Sequence, residues 1–329
     1  MTTPRMKAVV ATGYGAPDVL QLQEVEKPTP AADEVLVKVM ASAATQAEAM
    51  MRTGRPYYNR LFLGFSKPKH DIPGTCFAGV IEAVGENVHR FQVGDRVFGV
   101  TALGFGTNAE YVAVSIQDVI LPMPENMGFA EAAPYCDGHL TSYNFLTEVA
   151  NLQPGQKVLI NGASGALGTA AVQIARYLGA EVTAVCSGKN EGLVRSLGAH
   201  HTIDYTKEDF TRSSERYDVV FDTIGKSSFG QAKRVLTETG QYLSPVLKIA
   251  HLLKVLWTSL FGTQKARFDA TGLKDPGKLR EMLSAVTNIY RAGKLTTVID
   301  RQFPLEKLAE AHRYIDTGRK KGNVVMVSA

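Results

Sequence analysis

The sequence predicts an α/β chain in which a compact, mostly β unit precedes a doubly wound parallel sheet. Three observations predict it. Residues 6 to about 125 carry short apolar runs punctuated by Gly, Pro and Asp. From about residue 150 the texture changes to strand–helix alternation. The last part of the chain carries helical and strand patterns but no core of its own.

In the first stretch MKAVVAT, EVLVKVMASA, FAGVIEAVG, DRVFGV and AEYVAV read as strands, with turns such as VGEN and VGD between them. KVLING (157–162) is the first strand of the second stretch, followed by a helix over 165–179 that ends near Gly179. EVTAVCS (181–187) is the next strand, and a helix runs to Leu197. HHTIDY, YDVVFDTIG and GQYLS follow as further strands. The tail holds a helix around 277–292, a VIDRQFP strand, a helix over 305–316 and a VVMV strand, and is expected to pack back on the first unit. The expected domains are therefore 1–125 with 271–329, and 126–270. No repeat or low-complexity segment interrupts them.

Composition narrows the function classes. The 329 residues are 45% hydrophobic and 21% charged, with a net charge of +4, the profile of a globular protein. No Lys/Arg-rich run or aromatic–basic interleaving points to nucleic acid. Cys76, Cys136 and Cys186 are too few and too scattered for a disulfide framework or a structural zinc lobe. MTTPRMKAVV lacks an apolar signal core, and the most apolar window, 242–262, is broken by Lys248, His251 and Lys254. A reducing, cytoplasmic-type compartment without stable membrane insertion is the expectation.

The stretch NGASGALG (161–168) sits between a strand and a helix inside a βαβ pattern. Gly162, Gly165 and Gly168 permit a tight turn and close backbone approach, and the helix N-terminus favours negative charge. With Ala163, Ser164, Ala166 and Leu167 this loop is expected to hold a dinucleotide pyrophosphate. A glycine turn that only packs helix on sheet is the structural alternative. An NAD site places an acid at the end of the second strand. Here AVCSGKN has none before Glu191, and Ser187 and Lys189 suit a 2′-phosphate. The cofactor expected is NADPH.

Over nearly its whole length the chain resembles the medium-chain dehydrogenase/reductase superfamily, in its zinc-independent, quinone-oxidoreductase-like branch. PGTCFAGVIEAVGENVHRFQVGDRVFG, AEYVAV, LQPGQKVLINGASGALGTAAVQIARYLGA, VRSLGAHHTIDYTKEDF and KGNVVMV carry the resemblance. It implies a mostly β GroES-like catalytic domain split around a Rossmann domain, and a homodimer or homotetramer joined through the Rossmann sheet. It implies that Tyr205 joins Ser187 and Lys189 at the 2′-phosphate, that Thr141 lies near the nicotinamide or its ribose, and that Gly225 and Asn323 complete the cofactor contacts. Zinc-dependent relatives carry Cys, His and Cys where this chain has Thr45, Thr75 and Asp137, so no metal is expected.

Without a Lewis acid, hydride transfer needs a small, lipophilic acceptor that is already electron-poor. A quinone is the first expectation, a conjugated enone or alkenal the second, and a nucleotide-binding protein without turnover the third. The branch often has Asn-Pro-Ala-Asp at 45–48 and Phe-Gly-Gly at 137–139; this chain has Thr-Gln-Ala-Glu and Asp-Gly-His. Thr45, Asp137, His139 and Tyr58 are the catalytic candidates, with Asp137 orienting His139 as proton donor. A His at a helix start that only makes a cap or surface bond is the plainer reading. Tyr57 and Tyr143 are further donors or wall residues, and Cys76 a small buried hydrophobe. In SPVLKIAHLLKVLWTSLFG (244–262) Val246, Ile249, Leu253, Leu256 and Leu260 form a helical stripe. It suits a lid, a subunit contact or shallow membrane contact, with local packing near the cleft the simplest expectation.

Overall fold

The computed structural model describes residues 4–57, 60–101, 105–246 and 248–328, in two compact units. The first comprises Met1–Asp137, Gly272–Ser284 and Thr297–Ala329; the second comprises Gly138–Thr271 and Ala285–Thr296.

In the first unit β1 (Arg5–Ala11) pairs antiparallel with β2 (Leu20–Glu26). The central strand is β3 (Glu34–Ala44), followed by helix α1 (Gln46–Thr53) and the short α2 (Arg60–Leu63). Strands β4 (Cys76–Val84), β5 (Arg96–Val100), β6 (Tyr111–Ser115) and β7 (Val119–Pro122) lead to the short α3 (Phe129–Ala132). Alternate residues of β3, Val35, Val37 and Val39, join Phe77, Ile81, Val97, Val114 and Ile120 in one core cluster, as the period of two requires. The chain leaves this unit after Asp137 instead of at residue 125. The cause is packing: α3 and the turn Ala133–Cys136 lie against β3 and β4, and Ala132, Ala133 and Tyr135 are fully buried there.

The second unit starts with α4 (Gly138–Asn144) and runs β8 (Lys157–Asn161), α5 (Ala166–Tyr177), β9 (Glu181–Cys186), α6 (Glu191–Ser196) and β10 (His201–Asp204). Then come β11 (Tyr217–Asp222), α7 (Phe229–Ala232), β12 (Leu236–Leu243), α8 (Ile249–Leu260) and β13 (Lys265–Arg267). The six strands are all parallel, in the order β10-β9-β8-β11-β12-β13. Val158, Leu159, Ile160, Val182, Ala184 and Val185 are buried, as parallel strands covered on both faces demand.

After α9 (Pro276–Arg291), strand β14 (Ile299–Pro304), helix α10 (Leu308–Asp316) and strand β15 (Asn323–Val327) complete the first unit. Its large sheet runs β14-β15-β3-β4-β5-β7, with β6 on β3. Leu308, Ile315, Val324 and Met326 share a second core cluster with Val9, Leu20 and Ala49.

Candidate active site

Strand order in the second unit reverses between β8 and β11, and open parallel sheets bind ligands in the crevice at such a reversal. Gly162 follows β8 with φ +79, and a Cβ there would lie 2.7 Å from Ile224 and 2.8 Å from Thr223 in the loop after β11. Gly168 abuts the turn so closely that a Cβ would stand 2.2 Å from the Gly162 carbonyl oxygen. Gly165 differs, since its Cβ would meet only that oxygen, at 3.4 Å. Gly162, Ser164, Gly165, Ala166 and Leu167 keep part of their surface open, while Ala163 and Gly168 are buried. Gly165 N-caps α5 and, having no side chain, offers the first-turn N–H groups no side-chain cap. The turn therefore fits a pyrophosphate.

Polar bonds fix the crevice walls. The buried Asp222 carboxylate accepts from Asn161 Nδ2 (2.9 Å), the Tyr242 hydroxyl (2.8 Å) and the Ser227 N–H (2.8 Å). Burial first, and the Asp222 charge second, push the Tyr242 phenol far up, so it remains a donor. Thr223 Oγ1 donates to the Asn161 carbonyl at 2.8 Å. Gly225 has φ +63, and its carbonyl accepts from Lys248 Nζ.

At the far end of the crevice Cys186 and Asp204 face each other across β9 and β10. The next residues, Ser187 and Tyr205, therefore emerge side by side, with Lys189 exposed two positions on. The Asp204 carboxylate accepts from Thr206 N–H (3.0 Å) and hydroxyl (2.7 Å) and from the Gly188 N–H, which hold it below the usual carboxylate range. Asn190 Nδ2 donates to Ser164 Oγ at 3.0 Å, tying this loop to the glycine turn. Helix α4 packs on the start of α5, where Ser142 Oγ donates to the Leu167 carbonyl at 2.8 Å. It carries a buried His139 and a half-buried Thr141 and Tyr143.

The first unit holds a cluster of ionisable groups. Thr45 N-caps α1, its hydroxyl accepting from the Glu48 N–H at 3.1 Å. Thr75 Oγ1 lies 3.7 Å from Cys76 Sγ. Burial, then the charges of Cys136 and Asp137, drive the Cys76 thiol well up. Asp137 is pushed up to about 6 by burial, with Glu48 adding to the shift and Lys320 opposing it. Lys320 is pulled down to about 8 by burial, against the support of Asp137 and Asp300. Its Nζ donates to the Gly322 carbonyl at 2.8 Å. Buried Glu48 faces buried His312, Oε2 to Nε2 3.8 Å. Asn323 Nδ2 donates to the Val298 carbonyl at 3.1 Å. Tyr57 is exposed and flanked by Arg55 and Arg60. Tyr58 lies outside the described residues.

Two family models match the chain: the alcohol dehydrogenase GroES-like domain over residues 31–125 and the zinc-binding dehydrogenase over 197–326. A 2-methylene-furan-3-one reductase of Solanum lycopersicum is 34% identical, over 98% of this chain and 79% of that protein. The chain belongs to the medium-chain dehydrogenase/reductase superfamily. Within the superfamily it falls in the quinone-oxidoreductase-like branch. A quinone oxidoreductase of Homo sapiens is 30% identical over 95% of this chain and 94% of its own. The solved CurK enoyl reductase superimposes with a TM-score of 0.87 at 28% identity, covering 99% of both chains.

Like these superfamily members, the chain is an NAD(P)H-dependent oxidoreductase. Among the described residues no group of three or more His, Cys, Asp or Glu is placed to hold a metal ion. Sequence reasoning passed over Lys320, Asp222 and Asn190. Asp222 carried a signal, an acid ending the otherwise apolar run VVF of β11. Lys320, one of a pair in RKKGN, carried none, because only folding sets it near Asp137.

Proposed function

We propose that the protein is an NADPH-dependent reductase of carbon–carbon double bonds conjugated to a carbonyl, the second of the acceptors expected from sequence. The observation that carries this reading is the burial of Lys320 near Asp137, which pulls the ammonium down to about 8 and pushes the carboxyl up to about 6. Between those values Asp137 is ionised and Lys320 holds one transferable proton.

A bound nicotinamide supplies hydride to the β-carbon. The chain does the rest. The glycine turn and the N-terminus of α5 hold the pyrophosphate, while Ser187, Lys189 and Tyr205 receive the 2′-phosphate. Asp222 and Asn190 position both loops. The developing enolate calls for a cation that can also give up a proton, and the Lys320 ammonium is the group of the first unit whose chemistry suits it. Its proton completes the reduction at the α-carbon, and Asp137 keeps Lys320 charged at neutrality. Thr45, Thr141 and His139 are the further groups proposed to bond the acceptor.

Two relatives support this acceptor class by name, the furanone reductase and the enoyl reductase. The human quinone oxidoreductase favours a quinone as the second reading. Purified protein given NADPH deuterated on the transferred face, with vinyl ketones, 2-alkenals and quinones in parallel, separates them. Saturated ketone labelled at the β-carbon, formed faster than any quinone is consumed, is the expected result. Quinone turnover alone would transfer the assignment, and equal use of NADH would remove the cofactor preference.

A further inference from the structure

Helix α8 is inverted for a globular protein. The residues it buries are His251 and Thr258, and both meet β13 through polar bonds. His251 Nε2 donates to the Arg267 carbonyl at 3.0 Å, and Thr258 Oγ1 accepts from the Ala266 N–H at 2.9 Å. The apolar face points out. Leu253 is 62% exposed, Leu256 63%, Trp257 61% and Leu260 71%, with Ile249 and Phe261 on the same side. The expectation of local packing for this segment is thus overturned, because α8 meets β13 through the polar side chains of His251 and Thr258.

We propose that α8 docks the protein on an anionic lipid bilayer, lying flat at the headgroup boundary with this face in the acyl edge. Charge complementarity selects the partner. Residues 239–268 contain no Asp or Glu but carry Lys248, Lys254, Lys265 and Arg267, the pattern of an interfacial helix on acidic lipid. Lys254 is exposed at the flank of the outward face, about 100° round the helix from Leu253. Packing a second copy of α8 on this face would bring like charges together, with no carboxylate on the segment to pair them. At a bilayer the Lys254 ammonium reaches the headgroups while its methylenes stay apolar. A helix of 12 residues is far too short to cross, and among the described residues none is long and apolar enough to do so. The docking does not depend on which acceptor the enzyme reduces.

Trp257 is the only tryptophan in the chain, so its fluorescence reports on this face alone. The full-length protein is mixed with phosphatidylcholine vesicles, with or without phosphatidylglycerol. Acidic vesicles are expected to blue-shift the emission, shield it from acrylamide and co-sediment the protein. Two lysines at the surface correspond to roughly thirtyfold tighter binding than to neutral vesicles. Replacing Leu253, Leu256 and Leu260 together by Gln should abolish co-sedimentation while NADPH binding, the check on folding, stays intact. Emission unchanged by acidic vesicles overturns the proposal. So does co-sedimentation without a tryptophan shift, which places the contact on another face. A dimer in sedimentation velocity that the triple variant converts to monomer, with no vesicle binding by the parent, assigns the face to a second copy and equally refutes it.

Discussion

Replacing Gly165 and Gly168 separately by Ala distinguishes a turn that binds phosphate from one that only packs. At Gly168 the new methyl carbon would lie 2.2 Å from the Gly162 oxygen and 2.6 Å from two Ala163 backbone atoms. None of these is the flexible end of a side chain, so α5 must move off the turn. Overpacking of this kind costs about 1–3 kcal/mol, and the upper half of that range is expected. At Gly165 the backbone is extended, φ −83 and ψ −178, and the nearest atom is an ordinary 3.4 Å away. Two small terms oppose each other there. Loss of unfolded-chain freedom stabilises by about 0.4–1 kcal/mol, and Ala is a poorer N-cap than Gly by a similar amount. Urea unfolding of the cofactor-free Gly165→Ala protein should therefore match the parent within about 0.5 kcal/mol. Its NADPH affinity should not match. A methyl on the phosphate side removes at least one hydrogen bond to a charged group, worth about 1.5–3 kcal/mol, or roughly 10- to 150-fold in Kd. Calorimetric titration with NADPH reads this directly. Parental affinity in Gly165→Ala would show that the phosphate does not sit on this turn.

Lys189→Ala should raise the Kd for NADPH about tenfold or more and leave NADH unchanged, since Lys189 would pair with the 2′-phosphate alone; equal losses would refute that pairing. Turnover should fall as pH rises through about 8, where Lys320 loses its proton. Asp137→Asn removes the carboxylate that supports that charge, so the falling limb should move to lower pH; an unmoved limb would detach Lys320 from catalysis. The same variant tests stability. Asp137 has a raised folded value, so its ionisation costs stability as pH rises from its usual 3.8 to about 6, an upper bound of about 3 kcal/mol. Parental protein should lose denaturation midpoint across that window, and the Asn variant should lose less. Tyr242→Phe leaves the buried Asp222 carboxylate one donor short and should cost about 1–3 kcal/mol by urea unfolding; an unchanged midpoint would mean that water replaces the phenol.

Periodicity made the second unit legible, because parallel strands buried on both faces are continuous apolar runs and KVLIN, EVTAVC and YDVVFD stand out as such. It failed where side chains alternate without a buried face. In β2, LQLQEVE is mostly exposed and is held by its pairing with β1, which no local pattern announces. The stripe of α8 was visible, but its direction was not: periodicity defines a face, and the groups on β13 decide which face turns inward. The glycine turn could be read because backbone geometry dictates its residues. The Asp137–Lys320 pair could not, since its chemistry arises from burial and from charges far apart in the chain.

The strand β15 pairs with β3, Val324 opposite Ala44, and this has a consequence for synthesis. The strands of the second unit, β8 to β13, form an uninterrupted run of chain and can close their sheet as soon as β13 leaves the ribosome. The first sheet cannot, although most of its strands are made earlier. Until residues 323–327 emerge, one edge of β3 exposes bare backbone along Ala41–Ala44, the kind of open edge that seeds aggregation. The part of the protein translated first is thus the last to be finished, and the vulnerable species on the ribosome is a folded second unit carrying an unsealed first one.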